Sequence, residues 1–394
     1  MQNFNKMILK EVKYTRFGGE SFEWSIQGKP LAEVLCPSVT FGQINLIVGK
    51  NATGKSKTIM TIMQLADLFS GKVDLSELIF HSSKYEVCFQ NGSGDIKYLL
   101  EYKNGKVVEE RLDIGDVNKI AREGSKGTIF YEELNESLTF ETDDKILAIT
   151  RRDKIQHPYL ENLYQWGKQL FFYKFASERG KGTFVRDLNQ INEEDFKLKN
   201  SDDFVGMFKV GKEKIGDNFV NNIRNDMKSI GYSISEIALD KPKLYPIPGF
   251  AINVKEEDLK DLTDQTEMSS GMFSAFSLLI QVNYLLLLNI PSCILIDDIG
   301  EGLDYDRSKS LIELIIGKAK NSNIQVFMTT NDRFVMNKIP LEYWSIIQRT
   351  NQKSIFYNYR NSKDIFDSFA FTGLNNFDFF ATDFYLNGLG EQIN

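Results

Sequence analysis

The sequence predicts an α/β fold, in which a mixed and partly parallel sheet core carries an antiparallel β meander and a helical lobe. Three observations predict it. The apolar run Ile44-Asn45-Leu46-Ile47-Val48 leads directly into a glycine-bearing octet, Gly49 to Ser56, and then into helically spaced residues. Two later runs, Cys293 to Asp297 and Ile324 to Thr329, are separated by a helix-length stretch, Ser308 to Ala319, long enough for a parallel crossover. Between these regions, short β-like runs alternate with Asn-Gly turns.

Taken in order, Met7 to Tyr14 and Glu23 to Ile26 read as strands ahead of the octet, and Thr58 to Leu68 reads as the helix behind it. Tyr85 to Gln90, Tyr98 to Glu101 and Val107 to Leu112 form the meander, punctuated by Asn91-Gly92 and Asn104-Gly105. Apolar residues then recur at helical spacing from Tyr159 to Tyr173, and the charged stretch Asp202 to Ile230 is also helix-like. Pro242, Pro246 and Pro248 end that lobe. Gly271 to Leu288 is a strongly apolar helix. The expected division is 1–152 for the first half of the core with the meander, 153–266 for the helical lobe, and 267–394 for the second half of the core. No repeat, low-complexity tract or long heptad run interrupts this pattern.

Composition narrows the function. The chain has 394 residues and a net charge of −7, which argues against a uniformly basic nucleic-acid binder. Two local basic strips, Arg151-Arg152-Asp153-Lys154 and Lys174 with Arg179, Lys181 and Arg186, read first as solvated loops and second as phosphate contacts. The two histidines, His81 and His157, exclude a His-rich metal nuclease and read as surface residues. Cys36, Cys88 and Cys293 show no C-x-x-C pairing, and their apolar flanks suggest buried thiols. No run approaches eighteen apolar residues and the polar start lacks a signal-peptide pattern, so a cytoplasmic protein without membrane contact is expected.

Residues 49–56 read GKNATGKS, a complete G-x-x-x-x-G-K-S phosphate loop placed between a strand and a helix. Such a turn aims backbone N–H groups and the positive helix end at one point, where a triphosphate fits. Gly49 and Gly54 let the backbone approach the phosphates. Lys55 would reach the β- and γ-phosphates, and Ser56 would hold Mg²⁺. Gly49, Lys50, Asn51, Ala52, Thr53, Gly54, Lys55, Ser56 and Lys57 are therefore the candidate nucleotide-binding residues. A glycine-rich turn without a ligand is the alternative reading of the octet alone.

Two more motifs follow in order. Cys293 to Asp298 is an apolar strand ending in paired carboxylates, which in a parallel sheet project at the ligand edge. Asp297 is placed to hold the Mg²⁺ shell, and Asp298 to orient or deprotonate an attacking water. Glu267 to Met272 (EMSSGM) precedes the apolar helix. Its Ser269, Ser270 and Gly271 offer a second phosphate grip at a helix start, or a simple cap.

The ordered set GKNATGKS, EMSSGM, CILIDD and IGEGLD resembles the ATP-binding-cassette ATPases of the SMC, RecF and OLD group across most of the chain. Ser269-Ser270-Gly271 is similar to their signature motif. The resemblance implies ATP and Mg²⁺ as cofactors and a homodimer in which ATP is sandwiched between copies, the signature serine of one touching the γ-phosphate held by the other. Asp304 matches the D-loop aspartate. Two departures stand out: Asp298 occupies a position usually held by glutamate, and Asn331 stands where a switch histidine is usual, unable to carry a proton. Slow hydrolysis is the consequence, with Glu301 a partial substitute. Gln90 and Gln156 are the candidates for the Q-loop glutamine.

Neither the long arms of SMC proteins nor a TOPRIM-like acidic cluster is visible, so the lobe is expected to carry specificity. The aromatic tail, with Phe369, Phe371, Phe377, Phe379, Phe380, Phe384 and Tyr385, is expected to pack on the sheet edge first and to dock an effector second. The resemblance suggests an ATP-driven switch that controls a separate effector in bacterial anti-phage defence. The alternatives are a RecF-like DNA-repair ATPase, a hydrolysis-deficient nucleotide-binding scaffold and, more remotely, a transporter subunit.

Overall fold

Strand β4 (Ile44–Val48) is buried along its whole length, and its single polar residue, Asn45, is satisfied by the N–H (2.7 Å) and carbonyl (2.8 Å) of Gly42. The computed structural model describes residues 6–31, 34–92, 94–175, 177, 180–185, 187–188, 203–242 and 249–388. They form two units, one comprising Met1–Leu170 with Ile339–Asn394 and the other Phe171–Lys338.

In the first unit, β4 runs parallel to β17 (Trp344–Thr350), with Leu46 opposite Trp344 and Val48 opposite Ile346. β17 returns antiparallel as β18 (Lys353–Asn358), which lies parallel to β2 (Trp24–Gly28). β2 is antiparallel to β1 (Ile8–Arg16), and β1 also pairs with the short β3 (Val39–Thr40) and with β5 (Ser83–Asn91). The meander then continues through β6 (Gly94–Lys103), β7 (Lys106–Ile114), β8 (Val117–Glu123), β9 (Lys126–Tyr131) and β10 (Glu136–Glu141). At the Asn104-Gly105 turn both residues have positive φ, 53° and 72°, as a type I′ hairpin demands.

Helix α1 (Lys55–Phe69) packs with α2 (Leu160–Lys168) on this sheet. Phe69 meets Tyr98 at 5.0 Å and Trp166 at 6.0 Å between ring centroids. Gly167 is required there, because a Cβ would stand 2.5 Å from the Ala66 carbonyl. The tail forms three short helices, α8 (Lys363–Phe369), α9 (Asn376–Ala381) and α10 (Phe384–Asn387). Phe379 is fully buried between Phe366 (4.6 Å) and Phe369 (4.9 Å), and Tyr385 reaches Tyr357 of β18 at 5.4 Å. Core packing therefore accounts for most of the aromatic density. Phe371 is the exception, at 91% exposure.

In the second unit, β15 (Ser292–Asp297) and β16 (Ile324–Thr330) are parallel, connected by α6 (Tyr305–Lys320), and β11 (Leu170–Lys174) flanks β15. The crossover predicted from the two apolar runs is present. Ahead of it come α3 (Phe204–Ile215), α4 (Asp217–Ser229), an antiparallel sheet of β12 (Ile234–Asp240), β13 (Ala251–Glu256) and β14 (Thr263–Asp264), and the core helix α5 (Ser270–Leu287). α7 (Arg333–Met336) follows β16.

Several expectations change. The helix expected over 159–173 ends at Lys168, and its aromatic remainder forms β11, where bulky side chains at χ1 favour a strand. The single helix expected over 202–230 is two helices, Phe204–Ile215 and Asp217–Ser229, broken at Gly216, whose φ is 73°. Strands β8 to β10 lack clean alternation, β10 being exposed almost throughout, and so carry little strand signal. The region expected to be a helical lobe also holds the β12–β14 sheet.

His157 is buried rather than on the surface, with its Nδ1 3.0 Å from the Phe130 carbonyl, and Cys36 is exposed while Cys88 and Cys293 are buried. α5 does have the length and mean hydropathy (1.4) of a membrane span, since an average tolerates polar residues that interrupt an apolar run, but 83% of it is buried inside the chain. Arg179, Arg186, Pro246 and Pro248, and residue 202 at the start of the expected helix, lie outside the described residues.

Candidate functional site

In the first unit, β4 passes into the loop 49–54, and α1 begins at Lys55. A Cβ on Gly49 would lie 2.7 Å from Thr53 Oγ1 and 2.8 Å from the Ile347 carbonyl, so only glycine fits. Gly54 has φ 115°, and a Cβ there would lie 2.7 Å from Ser354 Oγ. Ala52 is also left-handed, at φ 63°.

The loop is fastened from within and from β17–β18. Thr53 Oγ1 donates to the Lys50 carbonyl (2.9 Å), Ser354 Oγ donates to the Thr53 carbonyl (2.7 Å), and Trp24 Nε1 donates to Ser354 Oγ (3.0 Å). Arg349 Nη1 donates to the Ala52 carbonyl (3.3 Å). Lys55 is 7% exposed, and its ammonium donates to the carbonyls of Gly49 (2.8 Å) and Lys50 (3.3 Å).

No acidic residue occupies the first turn of α1 and no side chain caps it, so the positive end of the helix dipole faces the loop. Asn51, Ser56 and Lys57 are exposed on the same rim. Burial, with Arg16 and Arg349 nearby, lowers the Lys57 pKa, and its Nζ lies 5.6 Å from the centre of the Trp24 ring. Lys50 pairs with Asp383 at 3.5 Å. A loop whose glycines are packed too closely on Thr53, Ile347 and Ser354 for any Cβ, and which leads into an uncapped helix start beside buried Lys55, fits the phosphates of a nucleotide.

In the second unit, β15 ends at Asp297, which is 4% exposed, and Asp298 follows with φ 53°. Aspartate tolerates this left-handed backbone better than glutamate, because its short side chain can bond locally. The departure at position 298 thus has a conformational counterpart. Thr329, at the end of β16, links the two acids: its Oγ1 donates to Asp297 Oδ1 (2.7 Å) and accepts from the Asp298 N–H (2.8 Å). A carboxylate oriented in this way has the donor set for a Mg²⁺ shell. Glu301 is exposed, and its N–H closes a turn on the Asp298 carbonyl (3.0 Å). Asn331 is exposed just beyond β16.

Ser269 is the N-cap of α5, and its Oγ accepts from the Met272 N–H (3.2 Å). Gly271 touches the loop after Asp298 backbone to backbone, for any Cβ on it would collide with the Gly302 carbonyl. Asp304 caps α6, accepting from the Arg307 N–H (3.0 Å) and from Arg307 Nη1 (2.9 Å). These bonds, the backbone one foremost, hold the Asp304 carboxyl below its usual range. Ser269 to Gly271 and Asp304 therefore belong to one surface of this unit, joined through Gly302.

Sequence reading missed Thr329, Ser354, Arg349 and Arg307. Thr329 could have been found from register, since Ile296 lies opposite Met328 and the next step brings it to Asp297. The Q-loop candidates gain no placement: Gln90 lies on β5 opposite Asp95, and the Gln156 N–H bonds Asp153 (2.7 Å).

The phosphate loop and the mixed α/β architecture define an ATP-binding P-loop ATPase with the fold of an SMC head. The chain belongs to the family described as "AAA domain, putative AbiEii toxin, Type IV TA system", whose model matches residues 44–337. Among solved structures it is similar to the Smc head domain with an extended coiled coil bound to the C-terminal domain of ScpA, derived from Pyrococcus furiosus. That match has 14% identity and a TM-score of 0.52, and it covers 92% of this chain and 100% of the other. The SmcHead bound to the C-winged helix domain of ScpA matches at 16% identity and TM-score 0.49, over 88% and 96% of the two chains. The SMC head domain from Thermotoga maritima matches at 13% identity and TM-score 0.41, over 89% and 98%. No curated protein matches the chain.

Proposed function

We propose that this protein is a cytoplasmic ATP-driven switch that hydrolyses slowly, dimerises on ATP and controls a separate effector in bacterial anti-phage defence. The observation that carries the nucleotide part is the loop 49–54, whose glycines leave no room for a Cβ and which opens into an uncapped helix start beside buried Lys55. The family description names a toxin system, and this supports a role beside an effector. Ser56 and Asp297 are the proposed Mg²⁺-holding residues. The bound ion would neutralise phosphate charge.

Asp298 would orient or deprotonate the attacking water, with Glu301 as a partial substitute. Asn331 can donate a hydrogen bond to a γ-phosphate but cannot relay a proton, so turnover is slow. Ser269, Ser270, Gly271 and Asp304 would face the phosphates held by a second copy. For the DNA-binding alternative, Arg151 and Lys154 of the first basic strip are exposed, but Arg152 is engaged. Arg152 is bonded to Glu161 (2.8 Å) and lies over the Tyr164 ring (3.2 Å), so it is not a free phosphate contact.

Sedimentation with and without ATP, on the wild type and on Lys55→Ala and Asp298→Ala, tests the proposal. Lys55→Ala should stay monomeric, and Asp298→Ala should accumulate as an ATP-bound dimer. Association that is indifferent to nucleotide in every variant would refute it.

A further inference from the structure

Within the second unit, α6 is bound to α4 at two separated places. At its start, Arg307 donates to Asp304 (2.9 Å) and to the Gly231 carbonyl (3.2 Å), and its guanidinium lies 4.3 Å from the centre of the Tyr232 ring. Gly231 and Tyr232 form the turn that leaves α4. Near the other end of α6, Lys318 pairs with Asp226 of α4 (2.8 Å). Asn283 of α5 completes that network, donating to Asp226 (2.6 Å) and accepting from Lys318 (3.2 Å). The Gly271–Gly302 backbone contact ties the start of α5 to the loop before α6.

The Asp226–Lys318–Asn283 network is mostly buried and therefore stiff, because each member left alone would strand a charge or an amide, whereas the Arg307 and Asp304 side chains are 40% and 54% exposed. A fork of guanidinium donors shared between a carboxylate and a carbonyl is directional in a way that a single ammonium is not.

From this geometry we infer that Arg307 is a positioning residue that transmits the state of the Ser269 and Asp304 surface to α4, making α4 and its 231–232 turn the element through which nucleotide state leaves the ATPase. The inference rests on the proposed role of that surface in the ATP dimer. A displacement of Asp304 moves Arg307, and Arg307 carries the Gly231 carbonyl and the Tyr232 ring with it. Lys318 and Asp226 keep the rest of α4 in register with α6, so the response concentrates at the turn.

Hydrogen–deuterium exchange on the full chain, with Mg²⁺ and a non-hydrolysable ATP analogue, tests this. In the wild type, amides at 269–272, 300–308 and 228–234 should all slow, by about tenfold. In Arg307→Ala the change at 269–272 should persist and that at 228–234 should vanish. Arg307→Lys, which keeps a charge near Asp304 and loses the fork to Gly231, should melt like the wild type yet resemble Arg307→Ala at 228–234. Unaltered slowing at 228–234 in both variants overturns the inference, as does a wild type in which 269–272 responds and 228–234 does not. A wild type in which 269–272 itself is indifferent to the analogue overturns the dimer reading, and the coupling falls with it.

Discussion

Glu110 and Arg122 face each other across β7 and β8 at 3.3 Å, and both side chains are fully buried. Glu110 also accepts from the N–H groups of Ala148 (2.7 Å) and Ile149 (2.9 Å) and from Tyr98 (3.1 Å). Arg122 donates to the carbonyls of Gly124 (2.7 Å), Ile146 and Asp143 (2.8 Å). Burial pushes the Glu110 carboxyl up, and the two backbone donors, then Arg122 and Tyr98, oppose that push. Arg122→Met should cost about 3–5 kcal/mol, since it leaves a buried carboxylate without its cation. Pairing it with Glu110→Leu should recover much of the loss. Denaturant melts of the single and double variants decide this. A single variant as stable as the wild type would show that the pair does not hold the meander.

Thr329 orients the acids at the end of β15. Thr329→Val keeps the shape and removes the bonds to Asp297 and to the Asp298 N–H. Hydrolysis should fall by about 10–100-fold, as for other residues that orient a metal ligand. Nucleotide affinity should fall much less, because the phosphate loop is untouched. Equal losses in both quantities would contradict this assignment.

The tail offers a paired test of packing against exposure. Phe379→Ala removes a fully buried ring and should cost about 3–5 kcal/mol. Phe371→Ser acts on an exposed side chain and should change stability by less than about 0.5 kcal/mol. Thermal melts compare them, and similar shifts for the two would mean that the tail is not part of the core.

Thiol chemistry should separate the three cysteines. Burial raises the Cys88 thiol to about 11 and raises Cys293 further still, while Cys36 is exposed. At pH 8 a disulfide-exchange reagent should modify Cys36 rapidly in the folded chain and reach the other two only after denaturation. The raised Cys88 value also fixes a sign. Its contribution to stability is complete below the ordinary thiol value and is lost as pH rises towards about 11, so alkaline melts should show the loss. Rapid modification of Cys88 at pH 8 would contradict the burial.

The parts of this fold that sequence revealed are those in which one local signal suffices. β4 and the loop 49–54 were legible because a buried strand is apolar throughout and a phosphate loop dictates its glycines. The β15–α6–β16 crossover was legible for the same reason. What escaped notice depends on neighbours distant in the chain. Ser354 supports Thr53 from 301 positions away, and no local pattern announces it. β11 reads as helix because its aromatic residues continue the spacing of α2, whereas its pairing beside β15, continued by the bond from the Phe175 N–H to the Asp297 carbonyl (3.1 Å), depends on a partner distant in the chain. At Asp298, residue identity suggested a shortened acid, whereas the left-handed backbone is invisible to spacing.

The carbonyls gathered by Arg122 have one more consequence. Two of them, those of Asp143 and Ile146, belong to the chain as it departs from the last hairpin, so the departure point is stapled at β7 and β8 rather than at the hairpin's tip. The hairpin tip at 133–135 can then gain or lose residues without shifting Leu147 to Thr150, whereas β9 stays tied to the approach to α2, its Phe130 carbonyl meeting His157 and Tyr159.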